Sequence, residues 1–76
     1  MQNSTNMRIL ELLRFLYART AKNHPATVSD IIAHLNVKGI QAVRQTVYAD
    51  TNTLIDAGID IVVVKSTQNQ YFMGSR

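Results

Sequence analysis

The spacing of apolar residues changes at Gly58, and this change limits the fold more than any other feature of the chain. Before it, apolar residues recur at the three- and four-residue intervals of amphipathic helices. After it, the segment Ile59–Lys65 is β-branched and partly alternating, and Gln70–Met73 has the composition of a second short strand. Polar residues 66–69 separate the two strands. The chain is therefore predicted to be mainly α-helical and to end in a β-hairpin.

The only proline, Pro25, separates the first two predicted helices, because the residue before a proline is pushed out of the α region. An apolar stripe at helical spacing predicts the first helix over about Thr5–Lys22. After the loop, Thr27–Asp30 has the capping-box spacing, with an acid three residues after a threonine. The second helix is therefore predicted to begin there and to end near Asn36.

The third helix is predicted over about Gln41–Ala57, with Gly58 just beyond its C-terminal cap. In the turn before it, Gly39 or Asn36 is predicted to take a positive φ. One face of this helix carries a mostly apolar stripe, formed by Val43, Val47, Asp50, Leu54 and Ala57. A helix, a short helix, a turn with glycine, a long helix and a hairpin follow in the order of a winged helix-turn-helix domain. We therefore predict three helices plus a two-stranded wing.

Length and composition exclude several classes of protein. The 76 residues, of which 46% are hydrophobic, suffice for one domain over residues 1–76 but not for two. The absence of cysteine excludes disulfides, thiolate zinc sites and thiol catalysis. No charge-free apolar stretch follows the polar N-terminus, so we predict no signal peptide or membrane span and expect a cytoplasmic protein. Because the chain stops at Gly74–Arg76 without a polar tail, we expect it to be a piece of a longer regulator.

The third helix carries the best candidates for binding double-stranded DNA. In a helix-turn-helix unit the N-terminal half of the second helix reaches base edges in the major groove. Four side chains are predicted to face outward there: Gln41, Arg44, Gln45 and Tyr48. Arginine can bind guanine O6 and N7 together, and glutamine can bind adenine N6 and N7. The alternative is an ordinary solvated face, because glutamine and arginine are common helix formers.

Smaller groups could contact the phosphate backbone. Thr27 and Ser29, with the free amides at the start of the second helix, could form an anion site, although capping alone accounts for these side chains. Thr46 could reach a phosphate or face the core. Lys65 and the turn Thr67–Asn69 could follow the minor groove or neighbouring phosphates, or could only solvate the hairpin. The net charge of +3 and the pI near 9.7 favour polyanions only mildly.

No catalytic residues, metal ligands or cofactor-binding residues are predicted. Asp50 interrupts an apolar stripe and therefore needs a partner, for which Arg8, Arg14 or a backbone amide is available. No second acid or base is spaced for catalysis beside it. His24 and His34 lie on different elements and are interpreted as surface or packing residues. Neither a glycine-rich phosphate loop nor a serine-centred elbow occurs, so the chain is not predicted to be an enzyme.

The segment from Arg44 to Ile61 resembles the recognition-helix signature of DeoR-like winged-helix domains. In particular, it resembles the N-terminal domain of bacterial WYL-domain transcriptional regulators. The matching positions are Arg44, Thr46, Val47, Asp50, Leu54, Gly58 and Ile61. The resemblance implies sequence-specific DNA binding, usually as a homodimer on a promoter, with a C-terminal ligand-sensing domain that this chain lacks. It also implies a DNA-contact role for Arg44, Thr46 and Tyr48.

Two positions depart from that signature. Ala49 stands where relatives often carry a basic residue, which removes a phosphate contact, and Thr51 replaces an isoleucine or leucine, which weakens the apolar stripe. The alternative function is a winged-helix protein–protein interaction module without DNA binding. Asp56 and Asp60 favour that alternative if the C-terminal end of the third helix lies where DNA would approach, because acids there would repel phosphates.

Overall fold

The computed structural model describes the backbone of residues 4–74 and the side chains of residues 6–74. Its elements in chain order are α1 (Ser4–Arg19), β1 (Ala26–Thr27), α2 (Val28–Val37), α3 (Arg44–Asp56), β2 (Ile61–Val64) and β3 (Gln70–Met73). The predicted succession of three helices and a hairpin is therefore confirmed. The prediction of only two strands is wrong, because β1 adds a third strand to the sheet.

The sheet is antiparallel throughout, with the strand order β1-β3-β2. In the centre of β3, Tyr71 lies opposite Ala26 of β1 on one side and Val63 of β2 on the other. A strand of two residues is too short to show a hydrophobic period in the sequence. Only its pairing with β3 makes it a strand. Because β3 is the central strand, Tyr71, Phe72 and Met73 are buried.

The hydrophobic core lies where the three helices meet the sheet. Its most completely buried apolar side chains are Leu12, Leu16, Val28, Ile31, Leu35 and Val47. Helix α1 packs against α2 and β3, and α2 packs against α3. The buried Thr20 hydroxyl donates to the Leu16 carbonyl at 2.5 Å and accepts from the Met73 amide at 3.1 Å. This threonine therefore ties the end of α1 to the central strand.

The first helix ends at Arg19, three residues before the predicted boundary at Lys22. The chain turns back there, because the backbones of Ala21 and His24 hydrogen-bond to each other in both directions. These bonds use the backbone groups that a longer helix would need. Helical spacing continues past Arg19 in the sequence, but a local turn ends the helix.

Both ends of α2 form as predicted to within one residue. The Asp30 amide donates to the Thr27 hydroxyl and the Thr27 amide donates to the Asp30 carboxylate, each at 3.1 Å, which is the capping box. The helix ends at Val37, one residue after the predicted boundary. Gly39, rather than Asn36, takes the positive φ of 78° in the turn that follows.

The prediction that Gln41 belongs to the third helix is wrong, since α3 begins at Arg44. Residues 40–43 form no regular element, and the side chains of Ile40 and Ala42 pack against the core. This packing holds the connection outside the helix. Val43 becomes the N-cap residue in an extended conformation and is 62% exposed, so its predicted place in the apolar stripe is also wrong.

Candidate nucleic-acid interface

Helix α3 carries four of the residues predicted to contact DNA. Arg44 and Gln45 are exposed in its first turn. Thr46 and Tyr48 are half-buried, and Asn52 is exposed one turn after Tyr48. Gln41, in contrast, is exposed in the connection before the helix. Gln41 therefore precedes α3 and is not part of the outward face of that helix.

Two buried polar residues fix the other side of α3. The Arg8 guanidinium binds the Asp50 carboxylate through two hydrogen bonds, Nε to Oδ2 at 2.5 Å and Nη2 to Oδ1 at 3.1 Å. This bidentate ion pair joins α1 to α3, and it raises the pKa of Arg8, chiefly through the hydrogen bond. The partner predicted for Asp50 is thus present, and the structure selects Arg8 rather than Arg14.

Thr51 is the second of these residues. It is buried, and its hydroxyl donates to the Val47 and Tyr48 carbonyls at 3.0 Å each. A hydroxyl in place of an aliphatic side chain is therefore accommodated by bonding to the preceding turn of its own helix. Together with the ion pair of Asp50, this arrangement holds α3 in one orientation while its outer face stays free to bind.

A shallow groove separates α3 from the sheet. It is lined by Tyr48, Asn52, Val63, Lys65, Asn69 and Tyr71. Tyr48 and Lys65 lie at one site in this groove, although they are seventeen residues apart in the sequence. Asn52 and Asn69 are amide side chains at the same site. Asn69 belongs to the predicted turn Thr67–Asn69, whereas Asn52 was not among the predicted contact residues. The place of Asn52 beside the hairpin could not be predicted, because a shared groove is a property of the tertiary structure.

The N-terminus of α2 is already occupied by groups of the chain itself. The Val28 amide donates to the Asn69 carbonyl at 3.3 Å, and the Ser29 amide donates to the Gln68 side-chain oxygen at 3.0 Å. The Asp30 amide is used in the capping box. The prediction of free amides at this helix end is therefore wrong. A phosphate would have to displace Gln68 and approach the Asp30 carboxylate.

The same hydrogen bonds tie the loop between β2 and β3 to the start of α2. Gln68 and Asn69 lie in that loop, three and four residues after Lys65. The loop thus has a defined position beside the helices. Thr27 and Ser29 keep their hydroxyl groups as possible phosphate donors, and their DNA-contact role stays a prediction.

Positive charge is divided between two sides of the molecule. Arg44 and Lys65 lie on α3 and just after β2, whereas α1, α2 and the turns after them carry Arg14, Arg19, Lys22 and Lys38. All six residues are exposed. The acids Asp56 and Asp60 are exposed near the C-terminal end of α3. Along α3 itself, the exposed cation Arg44 is therefore at the N-terminal end and the exposed acid Asp56 is at the C-terminal end.

A second polar cluster lies between α1 and α2, away from this surface. His34 Nε2 lies 2.8 Å from Glu11 Oε2, and the His34 ring stacks on Phe15 with the centroids 4.5 Å apart. The hydrogen bond from His34 lowers the pKa of Glu11; burial opposes this shift, and Arg14 and Lys38 add to it. His34 is a packing residue, as predicted. Within residues 4–74, no group of three or more potential ligands is placed to hold a metal ion.

Comparison with protein-family models, with curated proteins and with solved structures found no match to this chain. Among the helices of residues 4–74, none combines the length and the apolar character needed to cross a membrane. The function must therefore be argued from the geometry of α3, the adjoining groove and the charges around them.

Proposed function

We propose that this protein is the DNA-binding domain of a bacterial transcriptional regulator, with the winged helix-turn-helix architecture. In this proposal α2, the turn at Gly39 and α3 form the helix-turn-helix, and the β2–β3 hairpin is the wing, with β1 as its third strand. The observation that carries the proposal is the exposed start of α3, which adjoins a groove shared with the wing. An α-helix presented in this way fits the major groove of duplex DNA.

The side chains on α3 divide into two roles. Arg44 and Gln45 have the donors and the exposure to read base edges, with arginine on guanine and glutamine on adenine. Tyr48 and Lys65 line the groove beside the wing, where a phosphate–sugar strand would pass. Thr46 is half-buried and is placed with them as a backbone contact. Gln41 reaches DNA, in this proposal, from the connection before the helix.

Two further parts of the proposal rest on the resemblance to the N-terminal domains of WYL-domain regulators. The domain binds its promoter as a homodimer, and a C-terminal ligand-sensing domain controls it. The DNA-binding part acts in the cytoplasm and without catalysis or cofactor. This part of the proposal is supported by the Arg44-to-Ile61 signature together with the order of the elements, since the signature falls on α3, on the turn at Gly58 and on the first residue of β2.

Selection of bound duplexes from a random pool tests the proposal most directly. We expect enrichment of one sequence, and paired half-sites if the domain binds as a dimer. In a titration with the enriched duplex, Arg44→Ala should weaken binding by about 1–3 kcal/mol and relax the preference at one base pair. Arg14→Ala is the matched control, because it removes an exposed arginine from α1 and should leave the affinity unchanged.

Two results would count against DNA reading. Unchanged affinity in Arg44→Ala would remove Arg44 from the base-reading role. Failure to enrich any sequence, with no salt-dependent affinity for any duplex, would contradict the proposal as a whole, because phosphate contacts make DNA binding sensitive to salt. That second result would favour the alternative of a protein-interaction module.

A further inference from the structure

The outward side of α1 carries an apolar stripe that neither the core nor the proposed DNA interface uses. Met7, Leu10, Arg14 and Tyr17 are spaced by three, four and three residues, which places them on one face of the helix. Met7 is 44% exposed, Leu10 59% and Tyr17 48%. The residues that α1 buries completely, Leu12 and Leu16, belong to another face. Three large apolar side chains in register on a surface helix are typical of an interaction site.

The charges around this stripe are positive. Arg14 stands between Leu10 and Tyr17 with its side chain 78% exposed. Beside it, a shallow groove between α1 and α2 carries Arg19 and Lys38 on its border. The only acid of α1, Glu11, is hydrogen-bonded to His34 and lies 3.7 Å from Arg14. Lys38 also acts on this carboxylate electrostatically. The outward face of α1 is therefore apolar with a basic border.

This charge pattern identifies the kind of partner that fits. A second copy of the chain, packed through the same face, would bring Arg14 of each copy toward a surface that offers no free acid among the residues described here. A partner with carboxylates beside an apolar stripe would complement both features. We propose that the outward face of α1 binds an acidic amphipathic helix of a partner protein. The partner's apolar side packs on Met7, Leu10 and Tyr17, and its acids face Arg14 and Lys38, which line the same groove.

The proposal can be tested with two designed helical peptides. Both carry leucines at the i, i+3, i+4 and i+7 positions of one face; one has glutamates at the flanking positions and the other has lysines. We expect fluorescence anisotropy to show binding of the glutamate peptide only. Backbone amide NMR shifts of the labelled protein should change along α1 around Leu10, Arg14 and Tyr17, and not along α3.

Variants of the protein then locate the contact. Leu10→Ser and Arg14→Glu should each lower the affinity for the glutamate peptide about tenfold. Both residues are exposed, so the variants should fold, as circular dichroism would check. Lys65→Glu is the charge-matched control on the far surface and should leave peptide affinity unchanged. Binding of duplex DNA is measured separately in each variant, and neither result depends on the other.

Three outcomes would overturn the proposal. The first is equal binding of the lysine peptide, and the second is amide shifts centred outside α1. The third is a dimer of the free protein in sedimentation equilibrium that Leu10→Ser converts to a monomer, which would show that a second copy covers this face.

Discussion

At the scale of single residues, Asp50 determines how α3 is held. A buried carboxylate is costly unless it is paired and hydrogen-bonded, and Arg8 meets both requirements with two bonds. The pair joins the first helix to the third across forty-two residues of sequence. In the proposed DNA-binding function its effect is indirect, since it orients the helix that carries Arg44 and Gln45 without itself lying on the outer face.

Replacing Asp50 should therefore destabilise the fold. We expect Asp50→Ala to lower the free energy of unfolding by about 2–4 kcal/mol, because it leaves a partly buried guanidinium without its carboxylate. Urea denaturation followed by circular dichroism measures this loss. The double variant Arg8→Met, Asp50→Leu should recover much of it, since no uncompensated charge remains. A loss of stability in Asp50→Ala no greater than in the exposed control Asp56→Ala would contradict the structural role.

The contact between Glu11 and His34 predicts a pH dependence of stability. The hydrogen bond from His34 holds the pKa of Glu11 below its ordinary value of 4.5 in the folded state. A carboxylate whose folded pKa is lowered stabilises the fold above its unfolded pKa, and this contribution is lost as the pH falls through the folded value. Glu11→Gln should therefore be less stable than the parent protein at neutral pH, and the difference should shrink below pH 4.5.

Urea denaturation midpoints over a pH series would measure this difference. Asp30→Asn is not a suitable control, because Asp30 closes the capping box of α2. Asp56→Asn is better, since Asp56 is exposed at the end of α3. A constant difference between Glu11→Gln and the parent protein across the acid range would show that the His34 contact does not stabilise the charged form.

At the scale of elements, the end of α3 depends on one glycine. Gly58 has a φ of 97°. Two hydrogen bonds close the helix end: the Ile59 amide donates to the Leu54 carbonyl and the Gly58 amide donates to the Ile55 carbonyl, each at 3.0 Å. This is the Schellman pattern, in which a left-handed residue lets the last carbonyls of a helix find donors. The motif turns the chain out of α3 and toward β2. It was predicted from the position of the glycine after the helical stripe.

A side chain at position 58 should lower the free energy of unfolding only through strain at the positive φ. No atom outside the neighbouring residues lies within 4 Å of the position that a Cβ atom would occupy. We expect Gly58→Ala to lower the free energy of unfolding by about 1–2 kcal/mol. Gly58→Asn should cost less, since asparagine tolerates positive φ better. Denaturation of both variants under the same conditions provides the comparison. Equal stability of Gly58→Ala and the parent protein would show that the turn adopts another conformation in solution.

At the scale of the whole molecule, the separation of charge predicts which side would meet DNA in the proposed function. With Arg44 and Lys65 as the cations on the α3 side, the logarithm of the affinity should fall against the logarithm of salt concentration with a slope of about −2 per bound domain. Lys65→Ala should reduce the magnitude of this slope by about 1. Lys38→Ala, the matched lysine variant on the α2 side, should not change it. A smaller slope in Lys38→Ala together with an unchanged slope in Lys65→Ala would instead place DNA against α1 and α2.

The sequence alone determined the features that depend on residues a few positions apart. The capping box at Thr27, the positive φ at Gly58, and the two strands after it all follow from local hydrogen-bonding groups and local spacing. The exposure of Arg44 and Gln45 was also predictable, because helical periodicity assigns them to the side opposite the apolar stripe. About half of the candidate site could therefore be found before the fold was known.

The tertiary structure decided the features that depend on residues far apart in the chain. It made Ala26–Thr27 a strand by pairing it with β3, and it started α3 at Arg44 by packing Ile40 and Ala42 into the core. It supplied hydrogen-bond acceptors from Gln68 and Asn69 to the amides at the start of α2, which were predicted from the local sequence to be free. The physical reason is common to all three. A buried polar group or apolar side chain takes whichever partner the folded chain brings near, and sequence spacing does not record that proximity.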